Sequence, residues 1–114
     1  MAKNINKATP VNVNLSDIEC VHIQARRWFQ RSYGNTYFSL SVDVEVNGKL
    51  IEIIKVPFQY GYGDHYDHVA LQQFKEVVNL DKPLADYVFL SRALKESGIT
   101  VYNHCSDVER KKDL

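Results

Sequence analysis

The sequence predicts an α+β domain, an antiparallel β-sheet of three to four strands with two helices packed on one face, in the order β-β-β-α-α-β. Three observations carry that prediction. Val42, Val44 and Val46 alternate with Asp43 and Glu45, the period of a strand with one covered face. Asn47-Gly48 separates this run from a second β-rich run, and such a pair is the strongest local signal for a two-residue type I′ hairpin. Beyond them, Tyr66, Val69, Ala70, Phe74, Val77 and Val78 recur at helical spacing.

Residues 1–14 are polar, rich in Asn and Lys, and aperiodic, which predicts a flexible lead-in to a single domain over residues 15–108. From Asp17 to Gln30 one parity holds Val21, Ile23, Ala25 and Phe29, and the other holds His22, Gln24, Arg26, Trp28 and Gln30. That is a half-buried strand, expected to bulge or leave the core where Arg27 falls on the apolar parity. Ser32-Tyr33-Gly34-Asn35 supplies turn chemistry. In the second strand, residues 36–46, Phe38, Leu40, Val42, Val44 and Val46 face the core, and Tyr37, Ser39, Ser41, Asp43 and Glu45 face away. The third, residues 49–58, is apolar at nearly every position, as if both faces were covered, and Pro57 marks its end.

A Gly/Tyr-rich loop over residues 59–68 follows, with Asp64 or Asp67 placed to cap the first helix. Residues 79–83 break that helix, and Pro83 suits the first turn of a second one, whose stripe is Leu84, Tyr87, Val88 and Leu94. Gly98 sits where a helix terminates. Residues 99–108 form a fourth strand, and residues 109–114 read as a charged, solvated C-terminal tail.

The chain has 114 residues with 14 Lys+Arg against 14 Asp+Glu, so it lacks the basic excess of a non-specific nucleic-acid binder. No apolar run reaches the roughly 18 residues of a membrane helix. The 2 cysteines, Cys20 and Cys105, stand far apart, and with no leader-like start they suit free thiols in a cytoplasmic protein.

No catalytic constellation emerges, so neither enzyme activity nor a cofactor is expected. Cys105 adjoins His104, but neighbours on a strand point to opposite faces, so this His is badly placed to activate this thiol. Asp64, His65, Asp67 and His68 offer metal-ligand chemistry but match no structural zinc spacing, and capping carboxylates with surface histidines explain them better. The glycines of that loop lack the Lys and Ser/Thr of a phosphate cradle.

The sheet face turned away from the core is the candidate site, with Arg26, Trp28, Arg31 and Tyr37 joined by Tyr60, Tyr62 and His65 of the loop as partner-binding residues. Exposed Trp, Tyr and Arg are the types that carry interface energy. They also suit base stacking, with Arg26, Arg27, Arg31 and Lys55 for phosphates, but Asp43 and Glu45 continue the same face and would repel phosphate. A protein or protein complex is therefore the expected partner, with nucleic acid as the alternative, a metal-dependent enzyme as a third reading, and self-association compatible with either.

Arg-Arg-Trp-Phe at 26–29, Gly-Asn-Thr-Tyr at 34–37 and Val-Pro-Phe-Gln-Tyr-Gly-Tyr-Gly-Asp at 56–64 resemble a pattern in small uncharacterised proteins encoded by bacteriophages and prophages. The likeness covers residues 20–70 and leaves out the helices and tail. It implies a phage-borne accessory protein of the host cytoplasm, one that binds and inhibits or modulates a host machine such as a defence system.

Overall fold

The computed structural model describes residues 12–114, and the greater part of the expected lead-in lies outside them. In chain order the elements are β1 (Val13–Asn14), β2 (Cys20–Gln30), β3 (Asn35–Val46), β4 (Lys49–Tyr60), α1 (His65–Val77), β5 (Val78–Asn79), α2 (Leu90–Glu96) and β6 (Thr100–Val108). An α+β fold is what the strand and helix patterns predicted. The main sheet has four strands in the order β4-β3-β2-β6. It is mixed, because β6 lies parallel to β2 rather than antiparallel. The two helices carry the chain from one sheet edge to the other, so the last strand arrives running the same way as β2.

The turns follow their residues. Asn47 (φ 53°) and Gly48 (φ 75°) both occupy the left-handed region, as a type I′ turn requires. A Gly48→Ala variant has space for its methyl group but not the backbone preference, and should lose about 1–2 kcal/mol in urea unfolding. Gly34 (φ 69°) closes the β2–β3 hairpin, its N–H donating to Gln30 O at 2.8 Å.

One face of the sheet is covered. Val21, Ile23 and Ala25 of β2, Phe38, Leu40, Val42 and Val44 of β3, and Ile54 and Val56 of β4 pack beneath Val69, Ala70 and Phe74 of α1 and Leu90, Ala93 and Leu94 of α2. Arg27 falls on this side, yet β2 continues to Gln30 without leaving the sheet. Its guanidinium donates to Asp107 Oδ1 and to Gly63 O, each at 3.0 Å, which satisfies it at the edge of the core.

Several expectations are corrected. The apolar run in β4 does not mark a strand covered on both faces. β4 is an edge strand, and a register shift at Val42/Asp43 lets Ile53 and Ile54 both turn inward. Pro57 lies within β4 rather than at its end, beside a second register shift, where an edge strand tolerates a missing donor. The last residues of the supposed lead-in are structured: Val13 and Asn14 form β1, which pairs parallel with β5, and Val13 is buried.

The second helix does not begin at Pro83. Residues 80–89 are irregular and tied down from outside, Ser16 donating to Asp81 through both its N–H and its hydroxyl, and Ala85 N–H donating to Ser97 Oγ at 2.8 Å. Only Leu90–Glu96 is helical, and it ends at Gly98 (φ 78°) in a Schellman motif, with Gly98 N–H to Lys95 O and Ile99 N–H to Leu94 O. Asp64 stands at the start of α1 without a side-chain cap bond. Asp67 does not cap its own helix either, but reaches across to the first turn of α2.

Candidate functional site

The uncovered face of the sheet is built by strand parity. The β2–β3 register sets His22 opposite Asp43, Gln24 opposite Ser41, Arg26 opposite Ser39 and Trp28 opposite Tyr37. The β2–β6 register adds Tyr102 beside His22, His104 beside Gln24, and Val108 beside Trp28. Three zones result along the strands.

The first zone is aromatic. Tyr37 lies at the centre, stacked on Phe58 with ring centroids 4.8 Å apart and on Trp28 at 5.8 Å, with Tyr60 edge-on at 5.7 Å. Trp28 is half-buried among the described residues, stacked on Tyr37. Phe58, which sequence parity did not place here, arrives through the register shift near Pro57.

Across the middle runs a groove of about 460 Å³, lined by Gln24, Ser39, Ser41, Lys55, His104 and Leu114. Leu114 belongs to the C-terminal residues, which form a 3-10 turn at Lys111–Asp113 rather than a wholly solvated tail. Arg26 Nη1 donates to Asp113 O at 3.2 Å, and Lys111 Nζ lies 5.0 Å from the centre of the Phe58 ring. Those contacts fold the turn back over the face and set a second cation beside the aromatics.

At the far end stands a polar cluster that the sequence reading missed. Cys20 Sγ donates to Glu45 Oε1 at 3.2 Å and lies 3.3 Å from His22 Nε2, and the ligand atoms of these three residues all lie within 4.8 Å of one another. Burial pushes the Cys20 thiol up, helped by the hydrogen bond to Glu45 and by the charges of Glu45 and Glu19. The signal was available: Cys20 and His22 are two apart on a strand and share a face, and the β2–β3 register brings Glu45 opposite Cys20.

Cys105 belongs to the other face. Although β2 and β6 are neighbours, Cys20 pairs with Thr100 and Cys105 with Ala25, so the two thiols are free on opposite sides of the sheet. Burial pushes the Cys105 thiol up while the nearby Arg27 guanidinium pulls it back, a net rise that disfavours the thiolate a nucleophile needs. Tyr66 is likewise pushed up by burial, to about 12, its hydroxyl donating to Asn103 Oδ1 at 2.9 Å.

The predicted partner-binding residues therefore divide. Arg26, Trp28 and Tyr37 share the open face, with Tyr60 at its rim. Arg31 is exposed beyond the end of β2. Tyr62 and His65 instead line a cleft of about 520 Å³ with His68, Val88 and Phe89, and Tyr60 stands between this cleft and the open face. His68 Nδ1 is 3.0 Å from Val88 O, and Asp67 is engaged by Ser91, so Asp64, His65, Asp67 and His68 do not converge as a ligand set.

By fold and surface this is a small α+β protein with an open, aromatic-bearing sheet face. Compared with known proteins, the chain matches no family model, no curated protein and no solved structure. Among the described residues no helix is long and apolar enough to cross a membrane.

Proposed function

We propose that this chain is a non-enzymatic binding protein that docks a protein partner through the aromatic end of its open sheet face. The observation that carries the reading is the Trp28–Tyr37–Phe58 stack, on the sheet face opposite α1 and α2 and flanked by the cations of Arg26 and Lys111. Stacked aromatics beside arginine are the composition of interface hot spots. A protein is favoured over nucleic acid because the same face continues into Asp43, Glu45 and Glu52, which would repel a phosphate backbone. The likeness of residues 20–70 to phage-encoded proteins extends the reading to a host machine in the cytoplasm, which the chain would inhibit or modulate.

The test is capture from host lysate by the immobilised full chain, with and without nuclease, at low and high salt. A Trp28→Ala/Tyr37→Ala variant should lose its captured partner by at least roughly 30-fold, the ~2 kcal/mol of a single hot spot. Tyr62→Ala, on the separate cleft, should bind as wild type. Capture that vanishes with nuclease or falls steeply with salt identifies nucleic acid and overturns the reading. So does equal capture by the double variant, once its thermal melt shows it folded.

A further inference from the structure

At the end of the open face farthest from Trp28, three residue types that ligate transition metals converge. Cys20 Sγ is 3.3 Å from His22 Nε2 and 3.2 Å from Glu45 Oε1. A tetrahedral zinc site with bonds of about 2.3 Å to sulfur and about 2.0 Å to nitrogen or oxygen separates sulfur from each of the other ligand atoms by about 3.5 Å. The two Cys20 pairs are thus within a few tenths of an ångström of that spacing, and the His22 and Glu45 ligand atoms lie within 4.8 Å of each other. Backbone register fixes it from both strands, since Cys20 and His22 stand on β2 and Glu45 directly faces Cys20 from β3. The His22 ring is further oriented by stacking on Tyr102, with centroids 5.0 Å apart and planes 21° from parallel.

A second, independent observation concerns charge. Asp43 faces His22 from β3 and also faces Glu52 from β4, so two carboxylates oppose each other directly across strands. Such like-charge pairs are destabilising. Asp43 Oδ1 is buried with no hydrogen-bond partner, and none of the ion pairs among the described residues includes Glu19, Asp43, Glu45 or Glu52. A buried acceptor left unmade ordinarily costs free energy, and a neighbouring cation removes that cost.

We propose that Cys20, His22 and Glu45 form a binding site for a single Zn2+ ion on the open face of the sheet. The mixed sulfur, imidazole and carboxylate set suits zinc rather than magnesium or calcium, which take oxygen ligands. Asp43 and Glu52 lie outside the ligand triad, on neighbouring register positions of the same face. Binding displaces the thiol proton to solvent, leaving a zinc–thiolate bond. Three protein ligands leave a fourth tetrahedral position for water or for a donor from a docked molecule. The site does not depend on the docking role of the aromatic zone, six positions along β2.

The test titrates Co2+, as a spectroscopic stand-in, into reduced, chelator-treated full-length protein, followed by displacement with Zn2+. Wild type should show thiolate-to-cobalt charge-transfer absorption saturating at one equivalent, and Zn2+ should abolish it and raise the melting temperature. Cys20→Ser should eliminate the band. His22→Gln and Glu45→Gln should each weaken Zn2+ by at least ~100-fold, the upper end for loss of an outer-shell partner. Cys105→Ser, on the opposite face, should bind as wild type. Absence of a saturable band in wild type overturns the site, as does a band that survives Cys20→Ser. Should a ligand variant not fold, the wild-type and Cys105→Ser titrations still decide the matter.

Discussion

Asp67→Ala should destabilise the protein by about 2–4 kcal/mol, although the residue lies outside both candidate sites. The residue is 3% exposed, and its carboxylate accepts from Ser91 N–H at 3.0 Å and from the Ser91 hydroxyl. Those bonds satisfy the first turn of α2, a helix of 7 residues whose own N-cap residue, Phe89, makes no side-chain cap bond. Removing an N-cap partner costs about 0.5–2 kcal/mol, and stranding buried donors adds about 1–3 kcal/mol. A helix this short has little intrinsic stability to fall back on. Urea unfolding should report the loss, with hydrogen exchange showing amides 93–96 of α2 opening first. Ser91→Ala should cost less, and the double variant should show coupling of at least ~1 kcal/mol. Additive losses would mean that α2 is held by its packing alone.

Gly61→Ala is the second large effect, expected at about 1–3 kcal/mol from overpacking. A methyl group at this buried position would stand 2.4 Å from His65 Cδ2 and 2.9 Å from Phe38 Cε2. The exposed His65 can swing aside. Phe38 is 1% exposed in the middle of the core and cannot. Adding Phe38→Leu to the Gly61→Ala chain should therefore recover part of the loss, although Phe38→Leu alone destabilises. Melting curves of the two single variants and the double variant check this, and failure of the second change to help would show that the loop, not the ring, resists the methyl group.

How the sequence foretold some of this and not the rest has physical reasons. The alternation in β3 and the Asn47-Gly48 turn are local, and both appear where the chemistry puts them. So does the parity that leaves Arg26, Trp28 and Tyr37 on one face. The direction of β6 was hidden, because pairing with β2 depends on contacts far along the chain. Pro83 with Leu84, Tyr87 and Val88 imitates a helix start, but bonds from Ser16 and Ser97 hold that segment in another shape. Ile53 and Ile54 were read as two covered faces because a bulge mimics that pattern. The Cys20–His22–Glu45 cluster combines a local spacing with a cross-strand register, and Glu45 joins it only through the pairing of residues 25 positions apart.

The placement of β6 has a consequence for biosynthesis. β2, an interior strand, has one neighbour from the adjacent hairpin and another from contacts such as Arg27 to Asp107, 80 residues further on. While the nascent chain is still emerging from the ribosome, β2 must wait with one flank bare, since parallel partners separated so widely pair slowly. Such an unfinished flank is sticky towards other polypeptides. This topology predicts stronger chaperone association for nascent chains that lack residues 100–108 than for the full chain, to be read by pull-down of stalled ribosome complexes.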